Sequence, residues 1–115
     1  MKTLIKTWFQ LWQTGSFKDL PISDNFRHQS PFGTITGKQA YLALVESNKD
    51  KFLGYQFIIH DMVTAGDKVC VRYTAIQNEF RLDVSEWHYI NGDLIEKVIA
   101  YYHIGDIHPD RKLSI

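Results

Sequence analysis

The sequence holds a single cysteine, Cys70, in 115 residues. No intramolecular disulfide can form, so burial must hold the fold, and a reducing, cytoplasmic setting is the simplest expectation. There is no charge surplus either, since 13 basic residues balance 13 acidic ones. Nucleic acid and acidic membrane surfaces ordinarily demand a basic excess, and no basic stripe runs along the chain, so neither is expected as a partner. No apolar run approaches the roughly 18 residues of a membrane span. The amphipathic segment 1–12 lacks the continuous apolar stretch and small-residue cleavage site expected of a secretory leader. Repeats, low-complexity tracts and long linkers are missing as well, and the length suits one domain with one core. What the chain does have is rings. Phe, Trp and Tyr make up 14% of it, enough to fill a wide interior or to line a pocket.

Residues 2–14 predict a helix, with Leu4, Trp8, Leu11 and Trp12 on one face and Ile5 and Phe9 widening the stripe. Thr14-Gly15 ends it through a left-handed glycine cap. After a stub containing Pro21, Phe26, His28 and Ser30 alternate with Asn25, Arg27 and Gln29, which predicts a strand over 24–30. Pro31-Phe32-Gly33 breaks that strand, and Thr36 is placed as the cap of a second helix over 37–50, with Tyr41, Leu44 and Val45 on one side. Beyond Gly54 the pattern changes to period two. Turns at Ala65–Asp67, Gln77–Phe80 and Asn91-Gly92 divide the rest into four strands, the last over about 94–104. Helices segregated from a meander mean α+β. A long antiparallel sheet curls, and helices fill its concave side. One domain over 1–104 is expected, followed by a loose tail, 105–115, holding Pro109 and several charged residues.

This order of elements, together with Ser30-Pro31-Phe32-Gly33 before Gly37-Lys38, Leu82–Glu86 before Asn91-Gly92, and Ala100-Tyr101-Tyr102, resembles the ketosteroid isomerase and polyketide cyclase superfamily, the SnoaL-like and NTF2-like proteins. The resemblance covers residues 4–104. It implies a cone-shaped, strongly curved antiparallel sheet packed against N-terminal helices, the cystatin-like or NTF2-like α+β barrel. It also implies a pocket for an apolar small molecule, no cofactor, no metal, and pairing of two copies through their sheets. The isomerase works with an Asp base and an oxyanion hole made of a Tyr and a protonated Asp. By position, the base falls on Ser30, the oxyanion tyrosine on Trp8 and the oxyanion acid on Glu86. Serine is no carboxylate base and tryptophan offers only an N–H, so steroid isomerisation by that route is not expected.

Alternation and resemblance together turn inward Trp8, Trp12, Phe26, His28, Ser30, Phe57, Val71, Tyr73, Leu82, Val84, Glu86, His88, Ala100 and Tyr102. For the aromatics, plain core packing is the competing explanation. Glu86 and His88 say more, because they interrupt the apolar face of Leu82, Val84 and Ile90. A buried carboxylate costs several kcal/mol unless it is paired, protonated or wet. Glu86 therefore needs a donor, a proton or water, and a structural ion pair with His28 or His88 is the alternative to catalysis. Desolvation alone predicts a raised Glu86 pKa, and a protonated histidine nearby would reverse that sign. The candidate catalytic pair is Glu86 with His28, acting by general acid–base chemistry. Trp8, Trp12, Phe26, Ser30, Phe57, Tyr73, His88 and Tyr102 are the candidate ligand-binding residues around it. A nucleophilic triad on Ser30 is disfavoured because Pro31 follows it directly, leaving no strained strand-to-helix elbow. A metal site on His28, Glu86 and His88 lacks any compact two-histidine motif. His60 and His103 fall on the outer face, and Asp106, His108 and Asp110 read as solvated charge.

Two functions follow. One is a small-molecule pocket, either an isomerase, a cyclase or a hydrolase working without a cofactor on an apolar substrate with a carbonyl. The other is a non-catalytic ligand-binding or dimerisation domain of the same fold, favoured by the missing Asp and Tyr. The outer sheet face carries Cys70, Arg72, Thr74, Trp87, Tyr89, Ile99 and Tyr101 where a solvated face should be charged and polar. A homodimer through Arg72, Trp87, Tyr89 and Tyr101 is expected, unless the tail folds back over them.

Overall fold

The apolar stripe at the N-terminus forms helix α1 (Lys2–Thr14), which buries Ile5, Trp8 and Phe9. Its end is a paired-bond cap: Ser16 N–H donates to Leu11 O (2.9 Å) and Gly15 N–H to Trp12 O (3.4 Å). Gly15 has φ 79°, and a Cβ there would meet the Leu53 side chain at 2.7 Å, so glycine is required twice over. The computed structural model describes residues 2–103 and 105. Apart from Gly105, the expected tail with Asp106, His108 and Asp110 lies outside the described residues, and so does its proposed role as a cover for the sheet.

A short 3-10 turn (Phe17–Asp19) leads into strand β1 (Ile22–Ser30). The chain then departs from the sequence expectation. Pro31-Phe32 turns it into a four-residue strand, β2 (Gly33–Thr36), which pairs back on β1. Thr36 thus belongs to a strand and does not cap the next helix. The cap is Gly37, at φ 100° and without a side-chain hydrogen bond. The helix predicted over 37–50 is two helices, α2 (Lys38–Ser47) and α3 (Lys49–Phe52), separated at Asn48. The four-stranded meander follows, β3 (Gln56–Ala65), β4 (Lys68–Gln77), β5 (Phe80–Asn91) and β6 (Leu94–Tyr101), the last ending at Tyr101 instead of running on to about 104.

The six strands form one sheet in the order β2-β1-β6-β5-β4-β3. All neighbouring pairs are antiparallel except β1 with β6, which run parallel. The fold is α+β, a strongly curved sheet with helices on its concave side.

The concave face is not uniform along its length. Toward the β5–β6 turn it is packed solid, with Ile5 of α1 in one core with Val69, Ile95 and Val98, all at 0% exposure. Toward the β4–β5 turn the inward positions are Ala75, Leu82 and, on β6, Ala100. Small side chains at Ala75 and Ala100 leave room there.

On the outer face, register aligns Val63, Cys70, Trp87 and Ile99 in one apolar row across β3, β4, β5 and β6. One neighbouring row is Asp61, Arg72, Ser85 and Tyr101, with Arg72 Nε 2.7 Å from Asp61 Oδ2. The other includes Lys68, Tyr89 and Lys97, with the Lys97 ammonium 4.2 Å from the Tyr89 ring centre. Thr74 points outward as read from sequence, yet it is covered. His60 Nε2 donates to Thr74 Oγ1 (2.7 Å), which donates to Asp83 Oδ1 (2.6 Å).

Candidate functional site

The unfilled part of the concave face is a cavity of about 430 Å³. α1 contributes Trp8 and Trp12, one turn apart on the same face, and β1 contributes His28 and Ser30. α2 adds Tyr41, Leu44 and Val45, and the sheet supplies Phe57, Tyr73, Ala75, Leu82, Val84, Glu86 and Ala100 as its floor. Tyr102 follows directly after β6, and Phe32 sits beside it at 6.0 Å. Along β5, burial deepens from Phe80 and Leu82, partly exposed, to Val84 and Glu86, both buried. At the usual strand rise this floor is about 20 Å long, and Glu86 marks its closed end.

Glu86 is 5% exposed. Tyr73 Oη donates to its Oε2 at 2.8 Å. The two residues sit diagonally across β4 and β5, Tyr73 opposite Val84 and Glu86 opposite Val71, which is within reach of a long side chain. His88 Nε2 lies 2.9 Å from Oε1, although the imidazole is turned so that no N–H points along a proper hydrogen bond. Burial alone would push the Glu86 carboxyl up. The close His88 ring, attraction to His28 once that ring is protonated, and the Tyr73 hydroxyl outweigh it, and the group is held below the usual carboxylate range. Glu86 is therefore an anion near neutral pH and no proton donor, opposite to what desolvation alone predicts. The structural contact foreseen with His28 or His88 is made with His88.

His28 stacks on Tyr41, ring centres 5.2 Å apart and planes at 29°. Burial pulls its pKa down, the Glu86 charge opposes that, and the net shift is downward. The imidazole is thus neutral at neutral pH and able to accept a proton. Ser30 Oγ accepts from the Phe32 N–H (3.2 Å) and lies by the Tyr102 hydroxyl, so it is a structural hinge between β1 and β2.

Of the ten residues singled out from sequence, eight line the cavity: Trp8, Trp12, His28, Ser30, Phe57, Tyr73, Glu86 and Tyr102. Phe26 and His88 do not. Phe26 is at 0% exposure because α2 covers β1 there, with the Tyr41 ring edge-on at 4.9 Å and Gly37 N–H bonded to Phe26 O. It supports the wall without reaching the ligand space. His88 lies one step past the closed end. Its register partners are Val69 and Val98, in the packed half of the face, and Trp8 closes over it at 5.4 Å. The residue that sequence reasoning missed is Tyr41. It was visible only as part of an apolar helix face, where a tyrosine with an unassigned hydroxyl was the available signal. Among the described residues no group of three His, Cys, Asp or Glu side chains is arranged to hold a metal ion, and no helix is long and apolar enough to cross a membrane.

A curved six-stranded sheet closing with helices over one cavity is the NTF2-like α+β architecture. The chain belongs to the SnoaL-like domain family, whose pattern matches residues 5–98. An NTF2-like protein of unknown function from Cytophaga hutchinsonii superposes with a TM-score of 0.76 at 20% identity, over 89% of this chain and 88% of that one. An LEH-like epoxide hydrolase from Mycobacterium tuberculosis gives 0.76 at 18%, over 90% and 83%. A protein provisionally named a ketosteroid isomerase, from Kribbella flavida, gives 0.74 at 16%, over 88% and 76%. At these identities the likeness establishes the fold alone. No curated protein sequence matches the chain significantly.

Proposed function

We propose that the protein is a cofactor-independent acid–base catalyst acting on a small apolar substrate with a carbonyl, in the isomerase, cyclase or hydrolase class. The observation that carries this reading is the pairing, in one aromatic cavity, of a buried ionised carboxylate with an imidazole held neutral. His28 accepts a proton from carbon next to the carbonyl. The C–H electron pair passes into the enolate, and the Glu86 charge stabilises the imidazolium that forms. The same imidazolium then returns the proton to carbon, so no outside reagent is consumed. A fixed carboxylate charge awaiting the imidazolium inside a low-dielectric cavity is where such stabilisation is largest.

The test is proton exchange into deuterium oxide of a bicyclic ketone, 2-decalone, followed by NMR. Exchange should rise with protein concentration and fall about 10²- to 10⁴-fold in His28→Gln. It should fade on acidification as His28 takes up a proton. Exchange no faster than with free imidazole, or unchanged in His28→Gln, would refute catalysis. The second reading, a non-catalytic ligand-binding domain, rests on Ser30 and Trp8 standing where the resemblance places a base and an oxyanion donor.

The reading includes a cytoplasmic homodimer. The apolar row Val63, Cys70, Trp87 and Ile99 between two charged rows supports the pairing face, with Arg72, Tyr89 and Tyr101 at its margins. Val63 is 62% and Tyr101 56% exposed, a large apolar area for a lone sheet face. The lone cysteine, half-buried in that row, supports a reducing compartment.

A further inference from the structure

Three tyrosines other than Tyr55 reach the cavity, and their hydroxyls are in different states. Tyr73 has given its proton to the bond with Glu86. Tyr102 is shared with Ser30 and is only half-buried. Tyr41 is 4% exposed, lines the cavity, and is held by ring contacts alone, edge-on to Phe26 and stacked on His28. No hydrogen bond is made by its hydroxyl to any described side chain. Its Oη borders the open cavity rather than packed core, where an acceptor on a bound ligand can meet it.

We propose that Tyr41 is a catalytic residue, the hydrogen-bond donor to the substrate carbonyl oxygen as it becomes an enolate. The inference rests on the acid–base reading of the cavity given above. Its geometry is that of a pair: the Tyr41 ring lies against the His28 imidazole, so base and donor present adjacent atoms of one substrate with the α-carbon at His28 and the oxygen at Tyr41. When His28 removes the α-proton, the electron pair moves through the C–C bond onto oxygen, and the Tyr41 O–H shortens its bond to that oxygen without breaking. Burial and the Glu86 charge both raise the phenol's pKa well above its ordinary value, which keeps the proton on Tyr41 throughout. In this chain a donor from α2 thus supplies what the resemblance places on α1, where Trp8 now stands. Donors fixed in advance in a dry site stabilise developing oxygen charge far better than water does.

The probe is 2-naphthol, whose ionised form mimics an enolate oxygen on an apolar body, with naphthalene as the control lacking oxygen. Binding of both is measured with the intact protein and with Tyr41→Phe, and ionisation of bound 2-naphthol is followed by its absorbance. Naphtholate should bind about tenfold or more weakly in Tyr41→Phe, and bound 2-naphthol should ionise about one pH unit higher, while naphthalene affinity is unchanged. The thermal midpoint of Tyr41→Phe should match the parent, because the hydroxyl holds no partner in the fold. Equal naphtholate binding in the two proteins, with naphthalene bound by both, would overturn the role of Tyr41 and leave the cavity reading standing. Failure of both probes to bind the parent would overturn the cavity reading and this role together. A Tyr41→Phe protein that loses several degrees of stability would show the hydroxyl to be structural.

Discussion

The two faces of strand β5 break the same rule in opposite directions. Inward, Leu82, Val84 and Ile90 are joined by Glu86 and His88, so charge sits where water does not. Outward, Arg81, Asp83 and Ser85 give way to Trp87 and Tyr89, so rings sit where water does. The inner departure is tolerable because the Tyr73 hydroxyl bonds the carboxylate and the His88 ring lies against it, at the boundary between a packed core and an open cavity. The outer one is softened by the Lys97 ammonium over Tyr89 but leaves Trp87 in an apolar row. Alternation assigns a residue to a face. The violations of alternation show what each face is for.

The comparison is sharpest where the inner face depends on packing. Phe26→Ala should cost about 3–5 kcal/mol in urea unfolding, since it empties a fully buried site beneath the cavity wall. A loss under about 1 kcal/mol would mean that α2 does not rest on this ring. The next largest effect is on pH. His28 protonates less readily folded than unfolded, so the unfolded chain takes the extra proton, and stability falls as pH drops through about 6.5. Glu86 ionises more readily folded, so its contribution is present above about 4.3 and is lost as pH falls through its depressed folded value. Stability should therefore be level in mildly alkaline solution and decline in two stages on acidification. His28→Asn should erase the first stage only; a urea midpoint constant down to about pH 5 would contradict the His28 shift, and one constant down to about pH 2 the Glu86 shift as well. The smallest effect on chain stability belongs to the outer face. Trp87→Glu with Tyr101→Glu should change unfolding of the monomer by about 1 kcal/mol or less while converting a sedimenting pair to monomers. A parent protein that already sediments at 13.4 kDa would remove the interface.

What was legible from sequence was what is written locally. α1 and the four-stranded meander follow from periods of 3.6 and 2, and Glu86 and His28 stand out as polar breaks in apolar alternation. Strand β2 was not legible, because four residues with one apolar member, Ile35, carry no period. The parallel pairing of β1 with β6 joins segments with no local relation. Within the site, the sequence could not tell Glu86 from His88. Both point inward, and only the place where α1 stops filling the concave face puts one in the cavity and the other in the core. Nor could it give the direction of the Glu86 shift, which depends on a diagonal neighbour, Tyr73, from another strand. Tyr41 looked like an ordinary core position until its unbonded hydroxyl could be seen facing open space.

The β1–β6 pairing also sets a schedule. Ile22 and Ile95, partners in the sheet, are 73 residues apart along the chain. Loop closure of that length must be met before the contact is rewarded, which slows folding relative to a purely local meander. During synthesis, β1, β2 and α2 leave the ribosome long before β6, with Ile22 and Phe26 uncovered and an unpaired strand edge facing solution. The hairpins of β3, β4 and β5 can form meanwhile, but the curve that closes the barrel waits for its last strand. A nascent chain stopped before Leu94 should accordingly be a chaperone client, and emergence of β6 should trigger closure of the whole sheet at once.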